Sequence, residues 1–300
     1  MKIALLGKNG QVGCELQKLL ASHGELLGLS REEPGGDLTD VPAMIGRLEA
    51  FSPDIIFNAA AYTAVDRAET EKEAAYQVNA YAVKALADYC ARKHCLFVHF
   101  STDYVFDGSG VAPRDELAPC RPINLYGKSK LLGEIAVRES GCPYLLFRTS
   151  WVYGEHGHNF LKTILRLAQT KTAIDVVNDQ VGAPTAAGMI AEVSAKLALD
   201  CCNAKGRWEG LYNLVPDGEV SWYGFACWII QEAQKRGLKM TLTPSSVRPV
   251  SSREYPTAAK RPLNSRLNNG KLKAVWGGEV KDWSWYARPV LESILRDKEA

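Results

Sequence analysis

Lys2-Ile3-Ala4-Leu5-Leu6, followed at once by Gly7-Lys8-Asn9-Gly10-Gln11-Val12-Gly13, is the stretch on which the reading of this chain turns. The apolar run has the length of a buried strand, and Val12, Leu16, Leu19 and Leu20 then recur at helical spacing. The glycines therefore fall in a turn between a strand and a helix. Three glycines let such a turn close and let its backbone approach a ligand, and the helix N-terminus beyond it favours an anion. The spacing G-x-x-G-x-x-G in this place reads as the cradle of a dinucleotide pyrophosphate, against the plainer reading of a turn that binds nothing.

Working outward, short apolar runs keep alternating with amphipathic stretches, the pattern of strands feeding crossover helices. Leu26 to Leu29 reads as strand two, Asp54 to Phe57 as strand three, Leu96 to Phe100 as strand four and Tyr144 to Phe147 as strand five. Glu71 to Lys93 and Asn124 to Ser140 read as helices. The fold class is α/β, a doubly wound parallel sheet of Rossmann type with a smaller C-terminal substrate-binding lobe. Residues 1–150 form the dinucleotide-binding domain and 151–300 mainly the substrate domain, with about 172–199 returning to the first. Beyond Trp151 the alternation loosens, and Pro244 to Pro262 reads as long loops of the kind that build binding sites.

Composition narrows the class. The 300 residues are 46% hydrophobic with a net charge of +2, and the basic residues are interspersed with acidic ones, so neither disorder nor a nucleic-acid partner is expected. No segment approaches the roughly 20 apolar residues of a membrane span, and no signal peptide is read, so a cytoplasmic chain is expected. Eight cysteines lie without a C-x-x-C pair or a histidine at zinc-finger spacing, and read as small reduced residues of the interior. No metal site is read from these residues.

The tip of strand two discriminates between cofactors, because a carboxylate there pairs with ribose hydroxyls whereas Arg or Ser accommodates a 2′-phosphate. The tip is Leu29-Ser30-Arg31, which favours NADPH, while Glu32 and Glu33 directly after it keep NADH open. Asp37 and Leu38, with Ala59, Ala60 and Ala61 after strand three, fall along the carboxyl edge where adenine and the middle of the cofactor would lie. Plain helix–sheet packing explains the alanines equally well.

Tyr126-x-x-x-Lys130 puts a phenol and an ammonium on one face of a helix. A phenol with a pKa of about 10 is a poor acid–base group at neutral pH, and a nearby ammonium lowers it towards the working range. Tyr89-x-x-x-Lys93 has the same spacing, so spacing alone cannot choose. Tyr89 ends the helix that leads into strand four and falls towards the amino edge of the sheet; Tyr126 opens the helix that follows strand four. Tyr126 therefore reads as proton donor, Lys130 as its partner and a ligand of the nicotinamide ribose, and Thr102, at the end of strand four, as a third hydroxyl for the substrate carbonyl or Tyr126.

These residues resemble the extended short-chain dehydrogenase/reductases. More narrowly, the glycine turn, Asn58 to Asp66, Ser101 to Phe106, Arg148 to Gly154, Asn178 to Thr185 and Arg261 to Leu267 are similar, in order, to the dTDP-4-dehydrorhamnose reductases. The resemblance implies hydride transfer from NAD(P)H to C4 of a 4-keto nucleotide sugar, giving dTDP-L-rhamnose for cell-surface polysaccharide. It also implies that Tyr62 and Thr63 border the cofactor, that Asp103, Tyr104 and Trp151 lie by the sugar, and that Arg266 clamps the diphosphate. Arg261 and Arg248 compete for that last role. Some members bind magnesium through acidic residues at a homodimer interface; Glu15 and Glu292 match that pattern, but Gly188 stands where a further carboxylate is sought, which leaves metal and dimer open. Two rivals remain: a dehydratase, in which position 104 would carry a carboxylate, or an epimerase, and a non-catalytic dinucleotide-binding regulatory subunit.

Overall fold

The computed structural model describes residues 1–203 and 208–296. Its first half runs β1 (Lys2–Leu6), α1 (Gln11–Leu20), β2 (Glu25–Leu29), α2 (Val41–Phe51), β3 (Ile55–Asn58), α3 (Lys72–Tyr76), α4 (Ala82–Lys93), β4 (Leu96–Thr102), α5 (Leu125–Glu139) and β5 (Tyr144–Thr149). The second half runs β6 (Val152–Tyr153), α6 (Phe160–Thr170), β7 (Ile174–Val177), β8 (Val181–Gly182), β9 (Thr185–Ala186), α7 (Ala187–Asn203), β10 (Gly210–Asn213), β11 (Val220–Ser221), α8 (Trp222–Lys235), β12 (Val247–Val250), β13 (Asn264–Ser265), α9 (Gly270–Trp276) and α10 (Trp283–Arg296).

Six strands make one sheet in the order β10-β5-β4-β3-β1-β2, every pairing parallel. The doubly wound arrangement follows from the period of two in the strands. Ile3, Leu5, Ile55, Phe57, Val98 and Phe147 face α1, α7 and the second lobe, while Ala4, Leu6, Ile56 and Phe97 face α2 and α4. The winding reverses between β1 and β3, which opens a crevice at their carboxyl ends.

The boundaries differ from the sequence reading where side chains intervene. β3 starts one residue late because the Asp54 carboxylate accepts the Lys2 backbone N–H at 2.7 Å. β4 and β5 each run two residues further than their apolar stretches and pair Thr102 with Thr149, so hydroxyls are carried to the sheet edge within the ladder. α2 was not read at all; Asp40 starts it by accepting the Ala43 N–H. The helix read as one piece over 71–93 contains a π-helical turn, Gln77–Tyr81, between α3 and α4.

The stretch about 172–199 divides. β7 pairs with β12 in the second lobe, whereas α7 packs along α1, and β10 from further on joins the sheet beside β5. β12 also interrupts the segment read as loop over 244–262. The second lobe is held by stacked rings of Trp151, Trp222, Phe160, Phe225, Trp228 and Trp283. Among the described residues no helix is long and apolar enough to cross a membrane.

Candidate active site

Gly7 leaves β1 at φ +80°, and a Cβ there would stand 2.6 Å from the Ala60 nitrogen. A Cβ on Gly13 would stand 2.0 Å from the Gly7 carbonyl oxygen. The turn therefore exists only with glycine at both positions, and the small Ala59-Ala60 pair packs against it. Gly10 caps α1 without a side-chain acceptor, which leaves first-turn N–H groups for an anion. Asn9 is exposed in the turn and Val12 packs half-buried on the sheet. Gln11 reaches the second lobe instead, accepting from Asn159 Nδ2 at 2.9 Å.

At the tip of β2 the Ser30 N–H donates to Glu33 Oε2 at 2.6 Å, and Lys8 Nζ donates to Glu33 Oε1 at 2.7 Å. These two bonds hold the Glu33 carboxyl down at about 2. Arg31 is largely exposed, with Asp37 as its partner at 3.7 Å. Asp37 itself accepts from the Thr39 backbone and hydroxyl, and the Leu38 side chain is core, packed in the cluster of Leu29, Met44 and Leu48. Ala61 and Thr63 are exposed beyond β3.

Tyr62 is positioned by a residue that spacing alone did not reveal. Asn79, buried in the π-helical turn, accepts the Tyr62 N–H (2.9 Å), and its Nδ2 donates to the Tyr62 carbonyl (3.0 Å) and to Ser129 Oγ on α5 (3.0 Å). The irregular turn thus locks the loop after β3 to the helix that carries Tyr126.

α5 is started by Asn124, which accepts the Gly127 N–H at 2.7 Å. Gly127 lets the first turn press on the 103–105 segment, where a Cβ would meet the Tyr104 carbonyl at 2.2 Å. Tyr126 accordingly packs edge-on against Tyr104, ring centroids 5.5 Å apart, with its hydroxyl beside Thr102. Thr102 donates to Asp103 Oδ1 at 3.0 Å and accepts the Tyr104 N–H at 3.2 Å. Burial raises the Tyr126 phenol above its ordinary value, against the expected lowering, so it stands protonated as an acid must.

Lys130, one turn on, is buried and donates to the Phe100 carbonyl at 2.6 Å. Burial lowers it to about 8. Tyr89 is elsewhere: its hydroxyl donates to the Leu48 carbonyl inside the core between α2 and α4.

Asp103 is buried, and burial pushes its carboxyl up to about 6 despite the hydrogen bond from Thr102. The folded state therefore prefers the acid form. The group is neutral below about pH 4 in both states and destabilises the fold as pH rises towards 6. The gap between 3.8 and about 6 corresponds to roughly 3 kcal/mol. Asp103→Asn is accordingly expected to stabilise the protein by that order at pH 8 and by clearly less at pH 5. Urea unfolding at the two pH values measures it; an equal gain at both would contradict the cause given.

Most of the residues expected by the sugar or its diphosphate lie in the second lobe. Trp151 adopts φ +50°, a conformation that L residues rarely take, and stacks at 3.6 Å on Trp222 while its indole fills the space over Gly182. Arg266 follows Ser265 in β13 and is gripped by Glu219 through two bonds of 2.6 and 3.1 Å. Arg261 pairs with Asp66 at 2.6 Å and touches the Tyr104 hydroxyl at 3.5 Å. Arg248 pairs with Asp175 across β12 and β7. Glu292 is taken up by Arg236, and Glu15 lies with Glu155 and His156, their ligand atoms within 4.8 Å of one another. Within one chain Glu15 and Glu292 thus do not form one ligand cluster among the described residues.

The family model described as "RmlD substrate binding domain" matches residues 1–296. The chain is 44% identical over 297 residues to a dTDP-4-dehydrorhamnose reductase of Salmonella typhimurium, covering 98% of each, and 44% identical over 298 residues to one of Burkholderia thailandensis, covering 98% of this chain and 99% of that one. Among solved structures, a dTDP-4-dehydrorhamnose reductase of Clostridium acetobutylicum superposes with a TM-score of 0.88 at 33% identity, covering 98% of this chain and all of that one. Another, from Bacillus anthracis in complex with NADP, superposes with a TM-score of 0.86 at 32% identity, covering 99% of each.

Proposed function

The chain belongs to the RmlD family of dTDP-4-dehydrorhamnose reductases, and from that premise we propose the part that each residue of its crevice plays. The reaction reduces the C4 ketone of dTDP-4-dehydro-L-rhamnose to dTDP-L-rhamnose. A nicotinamide dinucleotide supplies the hydride when bound. Tyr126 delivers its proton to the oxygen that becomes the new hydroxyl, Thr102 fixes the phenol and the carbonyl in line, and Lys130 holds the nicotinamide ribose and favours the phenolate left behind. The observation that carries this reading is the meeting of Tyr126 and Thr102 at the end of β4, with Lys130 anchored on the same strand. Trp151 forms the wall for the sugar, with Asp103 and Tyr104 at its edge, and Arg266 takes the diphosphate by exchanging Glu219 for phosphate oxygens. Tyr104 offers no base for dehydration, because burial pushes its phenol up to about 12.

NADPH is the preferred cofactor in this reading. Glu33 is occupied by Lys8 and the Ser30 N–H, while Arg31 is free to swing from Asp37 to a 2′-phosphate. The enzyme, incubated with dTDP-4-dehydro-L-rhamnose and either cofactor, is expected to give dTDP-L-rhamnose by NMR with the lower KM for NADPH. Arg31→Ala should raise the NADPH KM about tenfold, the loss of one charged hydrogen bond, and leave NADH unaffected. Equal effects on both cofactors would remove Arg31 from the phosphate site.

A further inference from the structure

We propose that Arg261 is a positioning residue for the reduction: anchored on Asp66, it fixes the Tyr104 hydroxyl and, through the Tyr104 ring, the orientation of Tyr126. The inference rests on the parts given to Tyr104 and Tyr126 above. It starts from a place where three segments far apart in the chain close into a ring of hydrogen bonds.

The 259–261 strap of the second lobe lies on the loop that leaves β3. Ala259, fully buried, donates its N–H to Asp66 Oδ1 at 3.1 Å, and Arg261 Nη2 donates to Asp66 Oδ2 at 2.6 Å. Between them the Lys260 carbonyl accepts from Asn124 Nδ2 at 2.8 Å, and Asn124 is the residue that caps α5. The next residue, Leu125, donates its N–H to Glu69 Oε1 at 2.8 Å, and Glu69 ends the 3₁₀ turn that Asp66 begins. The ring is then complete, and Tyr126 is the first residue of α5 beyond it. The strap is seated at its far end as well. The Gly108 carbonyl accepts the Asn264 N–H at 3.0 Å, and a Cβ on Gly108 would stand 2.5 Å from Pro262 Cα.

With its backbone seated and Nη2 held by Asp66, Arg261 brings Nη1 to 3.5 Å from the Tyr104 hydroxyl. A guanidinium can only donate, so the Tyr104 oxygen accepts and the phenol proton is left for another partner, the sugar in the reading above. Burial keeps that phenol neutral, pushing it up to about 12; Asp103 and Asp66 act in the same direction and Arg261 acts against them. The Tyr104 ring meets Tyr126 edge-on, at an interplanar angle of 79°, so a shift of the first ring turns the second. A purely stabilising role fits the pair less well. The Arg261 and Asp66 side chains are 28% and 45% exposed, and ion pairs so open to water add little to stability. Loss of Arg261 should therefore be read in the reaction and not in unfolding.

Arg261→Met is expected to lower kcat about tenfold, the cost of a slightly misplaced reacting group, while the melting temperature and the Kd for NADPH stay near those of the parent. The solvent deuterium isotope effect on kcat should grow, because proton delivery from Tyr126 then limits the rate. Arg261→Lys keeps a cation for Asp66, but one nitrogen cannot stand at both Nη positions, so the same loss is expected; this variant keeps the test open if methionine disturbs the strap. In the Tyr104→Phe background, where the accepting oxygen is gone, Arg261→Met should cost less than about twofold more. A full further loss there overturns the route through Tyr104. An unchanged kcat in the folded variants overturns the proposal, and a raised KM for dTDP-4-dehydro-L-rhamnose without a fall in kcat does so too, by making Arg261 a substrate ligand. The underlying reading fails separately: if Tyr126→Phe turns over at the parent rate, Tyr126 is not the acid, whatever Arg261 shows.

Discussion

Tyr126→Phe is expected to lower kcat by about 10³-fold while the Kd for NADPH stays within a factor of two. General acid catalysis contributes roughly 10²–10⁴-fold, and the phenol at this site has no ready replacement. Thr102 hands its own proton to Asp103, and Lys130 is committed to the Phe100 carbonyl. The raised proton affinity of Tyr126 matters for direction: an acid that stays protonated at neutral pH suits ketone reduction, in which a proton is given up as the alkoxide forms. Removing one oxygen leaves the ring packed on Tyr104, so the fold and the cofactor turn should not respond. Stopped-flow turnover and fluorescence titration of NADPH read the two quantities separately; a kcat within tenfold of the parent would show that another group supplies the proton.

Arg148→Met is expected to destabilise the protein by about 3–5 kcal/mol, the largest effect foreseen on the fold. Arg148 and Glu134 are at most 1% exposed and joined by bonds of 2.9 and 2.6 Å. Ser101 adds a third contact to the carboxylate, and the guanidinium lies 5.0 Å from the centre of the Phe106 ring. Removing the cation leaves a buried carboxylate with one hydroxyl for company. The double variant Glu134→Leu/Arg148→Met should recover much of the loss, because two apolar groups carry no desolvation cost. Urea denaturation of the three proteins decides it, and a double variant less stable than Arg148→Met would refute the account. Arg148 opens one of the motifs that carry the resemblance, three residues before Trp151; its side chain turns back into the interior and ties β5 to α5.

The fold was legible because it is written in local signals. Lys2–Leu6 was read with its limits correct, and α5 to within one residue at each end. The cofactor turn was read from three glycines, two of which the tertiary structure requires through contacts with Ala60 and with the turn itself. The choice of Tyr126 over Tyr89 also came from chain order, since a helix leaving a strand begins at the carboxyl edge.

Other features were not legible, and the reason is the same in each case. β10 joins the sheet from residue 210 because a vacant edge beside β5 accepts it, which no local pattern encodes. Arg266 and Glu292 were expected as a diphosphate clamp and a metal-ligand candidate, yet each is paired with a partner far along the chain, Glu219 and Arg236. Asn79 carries no distinctive spacing, and acts only because the π-helical turn brings it to Tyr62. By itself the sequence determined five strands of the six-stranded sheet, the glycine turn and the Tyr126–Lys130 spacing, since backbone periodicity and chain order act over a few residues. Only the tertiary structure decided the protonation of that pair. Burial, amide orientation and the partners of each charge depend on groups that the chain keeps tens of residues apart.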